Sequence, residues 1–326
     1  MKRSTSGKGT SRRVVGVACV FVLLLGTWRG GAAQSPAEIA AACAAAGGLA
    51  EPCAAAALTG RALMGQVGLL AGGGAEIPGT ASTLGTRVGG GPRLSFFARG
   101  AALDAGLPDL GSATGAELGF AATALQAGAA AGLFDGFRLM PTVGGFLSVD
   151  AFAQASFLFL PASEGFGGNA QSLAAGVRVG ILREGFSVPG VSVTAARRFP
   201  GEVDFGPAGV TRPAVTVGPG VTSLRAVAGK DLFAVELMGG VGWDDYSGDA
   251  TLRVLDDADS VVTTTGELSG SRRLYFGSAA MTFGIVLSLS LQVGWADGFD
   301  PVAAYAGSFD PASGTLFGWL SARLTL

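Results

Sequence analysis

The chain has 326 residues, with 55 glycines, 14% charged residues and no histidine. Without histidine there is no Ser-His-Asp triad, no His-ligated zinc and no imidazole general base. Beyond the N-terminal region no run of about 18 apolar residues occurs, which argues against a helical membrane protein.

The first residues are basic (Lys2, Arg3, Lys8, Arg12, Arg13), an apolar run extends from Val14 to Leu25, and Gly31 and Ala33 precede Gln34. This layout predicts a cleaved secretory signal peptide over 1–33. The apolar run is short for a membrane span. Removing 1–33 takes away six basic residues and no acid, leaving 16 basic against 24 acidic, a net charge of −8. That balance argues against nucleic acid as a partner.

Two cysteines remain, Cys43 and Cys53. In an exported chain they predict a disulfide closing a short loop. Residues 34–57 are rich in Ala, with Pro36 and Glu38 suited to a helix start. They predict a short helical periplasmic segment, packed against or inside the rest of the chain; a disordered Ala-rich linker is the rival reading.

Beyond residue 57 the pattern has period two. From Ile285 to Trp295, Ile285, Leu287, Leu289, Leu291, Val293 and Trp295 share one face, opposite Ser288, Ser290 and Gln292. Such alternation predicts a strand. Gly145–Phe159 and Leu316–Leu326 repeat the design. Further strands are predicted near 269–282, 231–243, 217–229, 187–199, 171–184, 115–130, 92–104, 80–90 and 59–71. That makes twelve strands, with ten or fourteen as alternatives and with 59–71 and 115–130 also readable as helical. Tight turns are expected at Glu184-Gly185, Lys230-Asp231 and Thr282–Gly284. Long loops are expected at 161–171, 199–217, 244–268 and 298–313. Trp243, Tyr246, Trp295, Phe299 and Phe309 stand at predicted strand ends, as interface aromatics do.

Taken together, the signal peptide, alternating strands, short and long loops and C-terminal amphipathic strand resemble a bacterial outer-membrane β-barrel protein over residues 59–326. The fold class expected is thus all-β, an antiparallel transmembrane barrel over 58–326. The resemblance implies a periplasmic N-terminus, membrane lipid and lipopolysaccharide as surroundings, and the barrel-insertion machinery as an assembly partner. The terminal strand departs from the usual assembly signal by ending in Leu326 rather than an aromatic. Outer-membrane phospholipases, omptin-type proteases and lipid A palmitoyltransferases each need a histidine, so the chain is expected not to be an enzyme.

Asp244, Asp245, Asp249, Asp256, Asp257 and Asp259 fall in one predicted external loop, read as solvated acids more readily than as a cation site; no metal or cofactor is expected. Strand parity places Arg87, Arg93, Arg99, Arg178, Arg225, Arg273 and Arg323 on the inner face, with Glu117, Asp150 and Glu236. Seven bases against three acids point to a small-solute passage preferring anions. The alternatives are internal salt bridges filling a closed, non-conducting structural or surface-interaction barrel, and a soluble exported β protein.

Overall fold

The computed structural model describes residues 34–326, apart from 88–90, 112–115, 139–143, 207–212, 285 and 302–304. The expected signal peptide and Ile285 lie outside the described residues. Two helices come first, α1 (Pro36–Ala45) and α2 (Ala50–Gly72). Eleven strands come after them: β1 (Leu94–Pro108), β2 (Glu117–Phe134), β3 (Ser148–Phe159), β4 (Ala170–Leu182), β5 (Gly190–Pro200), β6 (Val203–Phe205), β7 (Ala214–Leu232), β8 (Val235–Leu255), β9 (Val261–Phe283), β10 (Leu287–Ala296) and β11 (Thr315–Thr325).

Ten strands close a barrel. Each pairs antiparallel with its neighbour, β1 pairs β11, and β5 pairs β7 across the short β6, which lies outside the wall on the edge of β7. The twelve-strand expectation is therefore corrected to ten wall strands. The two surplus strands are not wall. Residues 59–71 belong to α2, and the described part of 80–90 runs inside the barrel without joining the sheet. The helical N-terminal segment correspondingly reaches Gly72 rather than ending near residue 57.

Residues 59–71 are helical rather than extended because they are surrounded. Every residue from Ala62 to Ala81 is buried. A helix enclosed by wall is apolar all round and gives no amphipathic stripe to read. Glycines let it fit: a Cβ on Gly68 would stand 2.4 Å from the Tyr246 ring. At the start of α1, the Ser35 N–H donates to the Glu38 carboxylate at 2.6 Å, and the Glu38 N–H donates back to Ser35 Oγ, a capping box. That pairing holds the Glu38 carboxyl below its ordinary range. Cys43 and Cys53 form the expected disulfide, joining α1 to α2.

The wall has two ends. At one end the connections are 183–189, 233–234, 284–286 and the longer 135–147, and there the C-terminal Leu326 accepts from the Leu94 N–H. At the other end lie 109–116, 160–169, 201–213, 256–260 and 297–314. The 244–268 stretch, expected as a loop, is instead the long β8–β9 ribbon with its turn at 256–260. The turn expected at Lys230-Asp231 falls at Phe233–Ala234, because the β7–β8 ladder continues to Leu232↔Val235.

The outer face is an apolar band. On β10, Leu287, Leu289, Leu291, Val293 and Trp295 all point out and are exposed, Leu291 by 58%. Trp243, Tyr275 and Trp295 stand together at its upper edge, and Arg273 lies over the Trp243 ring at 5.1 Å. Ten residues of tilted strand match the roughly 9–11 that cross a bilayer core. Tyr246, Phe299 and Phe309 are corrected: they are buried, not interface aromatics.

Candidate functional site: the occupied lumen

α2 enters at the long-connection end and runs down the barrel. Gly48 lies against Val254 near the β8–β9 turn, Gly60 against Leu268 and Val215, Gly65 against Phe299, and Gly72 against Arg198. Residues 73–87 then continue as irregular chain, with a turn at 78–79, to the short-turn end, where the Thr86 N–H meets Asp135 Oδ1 at 2.8 Å and Thr86 bridges Pro92. The upper lumen is apolar: Leu58, Leu63, Val67 and Leu69 pack with Leu103, Val215, Val217, Leu252 and Leu268. The lower lumen is polar and surrounds this irregular segment.

That segment carries backbone carbonyls with no strand or helix partner, and such groups need donors when buried. Arginines from the wall supply them. Arg198 Nη2 donates to Gly72 O at 2.8 Å, Arg225 Nε to Gly74 O at 3.2 Å and Arg99 Nη1 to Ala75 O at 2.7 Å. Arg323 Nη2 donates to Gly79 O at 3.0 Å, Arg178 Nη1 to Thr80 O at 3.1 Å and Arg93 Nη1 to Leu84 O at 3.3 Å. Six arginines from five strands or their edges thus grip residues 72–84. Amides add to the grip: Gln126 Nε2 donates to Ala71 O at 2.6 Å, and Gln292 Oε1 accepts from the Ala75 N–H at 3.3 Å.

Acids hold the arginines. Arg178 pairs with Asp150 at 2.8 Å, and that carboxylate also accepts the Leu84 N–H with both oxygens at 3.0 Å. Arg225 pairs with Asp244 at 2.7 Å, and Arg198 pairs with Glu76 of the irregular segment and stands 3.9 Å from Asp244. Ser223 and Tyr246 also donate to Asp244. Arg99 forms no direct ion pair among the described residues; it bonds Gln126 and Gln154 and lies over the Trp319 ring at 4.8 Å.

Arg99, Arg178, Arg225 and Asp150 are buried on the inner face, Arg323 reaches Gly79 O there, and Glu236 accepts the Ala81 N–H at 3.1 Å. The other candidates lie elsewhere. Arg273 is exposed on the outer face, and its neighbour Arg272 is the inward one. Leu274 and Phe276 point inward, so parity from them selects residue 272. Glu117 is exposed, because Leu118 packs toward the core. Arg87 is exposed before β1, and Arg93 sits on the lower rim. Glu76, Arg198, Asp244 and Arg272 line the lumen without having been expected there. For Asp244 a signal exists: continuing the β8 alternation two residues past Gly242 turns it inward, out of the expected loop.

A cavity of about 800 Å³ opens at the short-turn end, lined by Thr83, Arg93, Asp135, Arg183 and Lys230 among others, with the irregular segment as part of its wall. Asp135, outside the strands, sits below its ordinary range. Burial alone would raise it, but hydrogen bonds from the Thr86 hydroxyl and N–H and the charge of Arg183 outweigh that.

No protein-family model matches the chain. No curated protein matches it either. Among solved structures it is similar to the outer membrane protease OmpT from Escherichia coli, with 10% identity and a TM-score of 0.37 over 72% of this chain and 96% of that one. It is also similar to the transport unit of the autotransporter AIDA-I from Escherichia coli, at 9% identity and 0.36 over 82% and 99%. A third is the Pseudomonas putida toluene transporter TodX, at 8% identity and 0.32 over 76% and 91%. At these TM-scores the similarity is to bacterial outer-membrane barrels as an architecture, and it bears on no residue or activity.

Proposed function

We propose that the chain is a bacterial outer-membrane barrel closed by its own N-terminal segment, a non-conducting structural or surface-interaction protein and not an enzyme. The observation that supports this reading is the uninterrupted burial of Ala62–Ala81 inside a ten-stranded wall whose arginines are spent on that segment's carbonyls. An open anion passage needs those guanidinium groups free to meet solute; here their donors face peptide oxygens. The apolar band favours membrane lipid and lipopolysaccharide as surroundings, which makes the barrel-insertion machinery the assembly route and leaves nucleic acid without a surface. A soluble exported protein would be expected to cover such a band.

Single-channel recording of the refolded protein tests the reading. The intact chain is expected to give no steps, while a variant lacking residues 36–87, checked for a folded wall by heat-modifiable gel mobility, is expected to conduct. Steady conductance from the intact chain would restore the passage reading.

A further inference from the structure

We propose that the amino-terminal end of the exported chain stands at the outer mouth of the barrel, where Gln34, α1, the Cys43–Cys53 pair and the β8–β9 ribbon form one surface-exposed cap. The proposal rests on the outer-membrane reading above. It reverses the ordinary expectation that a barrel's N-terminal segment waits in the periplasm.

Two independent features orient the molecule. Outer-membrane barrels carry short turns on the periplasmic side and longer loops outside. The two- and three-residue turns, 233–234 and 284–286, share an end with the C-terminal Leu326 and with the start of β1. The five connections at the other end include the long 201–213 and 297–314. The apolar band agrees: on β8 it ends at Trp243, and the ribbon continues another dozen residues to Leu255 beyond the bilayer level. By either criterion the β8–β9 turn is outside.

Gln34 is fixed to that end. Its N–H donates to Glu267 O at 2.7 Å, and it bridges Leu268 in parallel. Ile39 and Gln34 cover Gly266 on β9, and Gly48 reaches Val254 on β8. From there the chain passes once, in one direction, past Leu268, Phe299, Tyr246, Arg198, Gln292 and finally Asp135. α2 fills the upper lumen down to the level of Tyr246 and Arg198, and residues 73–87 cover the remaining distance to Asp135. The segment therefore spans the lumen from outside to inside before β1 begins. An exported chain reaches the barrel from the periplasm, so residues 34–72 must cross with the wall, as it closes around them.

Three single cysteines test this with a membrane-impermeant maleimide on intact cells and on permeabilised ones. Ala37→Cys reports α1, Ala258→Cys the β8–β9 turn and Phe233→Cys the opposite rim; all three positions are exposed, and the native cysteines are buried in their disulfide. Labelling of Ala37→Cys and Ala258→Cys on intact cells, with Phe233→Cys labelled only after permeabilisation, is the expected result. Protection of Ala37→Cys alone on intact cells overturns the proposal and leaves the outer-membrane reading standing. Protection of all three until permeabilisation overturns both, and labelling of Phe233→Cys alone overturns the orientation on which the proposal stands. An epitope inserted ahead of Ser35 and read by antibody on intact cells gives the same answer if a cysteine variant fails to assemble.

Discussion

A buried arginine is stable only where every charge and donor has an answer, and Arg225 is the strictest case in this lumen. It is fully buried, pairs with Asp244 and donates to Gly74 O, Leu224 O and Trp243 O. Arg225→Met would leave Asp244 with Arg198 at 3.9 Å as its remaining charge partner. Removing one member of a buried pair costs about 3–5 kcal/mol. A loss of that size is expected in denaturant unfolding in detergent, and a change within about 1 kcal/mol of the parent chain would contradict the clamp. The outward Arg273 makes a contrast: it is exposed and touches Trp243, so Arg273→Ala is expected to cost below about 1 kcal/mol. Asp135 adds a pH dependence. Its pKa is lowered in the folded protein, so its contribution is full above the ordinary carboxylate value of about 3.9 and disappears as pH falls through the lowered one. Amide exchange at Thr86, corrected for intrinsic rate, should lose protection only in that acid window. Protection unchanged under strong acid would assign the exit of the segment to some other contact.

Elements differ in how much of them the sequence discloses. β10 is legible because one face belongs to the exposed apolar band and the other to a polar lumen, so alternation is strict. The same contrast makes it testable: Leu289→Arg puts a charge on the lipid face and should cost about 2–4 kcal/mol, measured by refolding into lipid. Normal stability of that variant would contradict the outward orientation. α2 is not legible as a helix inside the lumen. Enclosure removes the polar stripe that marks a surface helix, and its Gly60, Gly65 and Gly68 resemble strand glycines in a small-residue wall. The β8–β9 ribbon is hidden for a different reason. Past Trp243 its outer face leaves the apolar band, so Asp245, Asp249 and Ser247 appear and the segment takes on a loop's composition. Adjacent arginines at 272–273 then leave the register open by one residue, and one residue exchanges lumen for lipid.

At the scale of the whole molecule, wall and inner segment are electrostatically incomplete without each other. Glu76 is the acid that the segment brings to Arg198, and its carbonyls occupy the other guanidinium groups. Take the segment away and the lower wall keeps Arg99, Arg178, Arg198, Arg225 and Arg323 against Asp150, Asp244 and Glu236. The excess of bases that strand parity suggests for an open passage would then exist, but only in the emptied barrel. A variant lacking residues 36–87 is therefore expected to be anion-selective, because fixed positive groups on a narrow low-dielectric wall concentrate anions and repel cations. Reversal potential in a salt gradient reads this directly. Adding Arg198→Gln and Arg225→Gln to the emptied barrel should shift the potential toward zero, since two of the five bases are lost while all three acids remain. Cation selectivity in the emptied barrel would mean that Asp150, Asp244 and Glu236 dominate the lumen field and that the arginines serve packing alone.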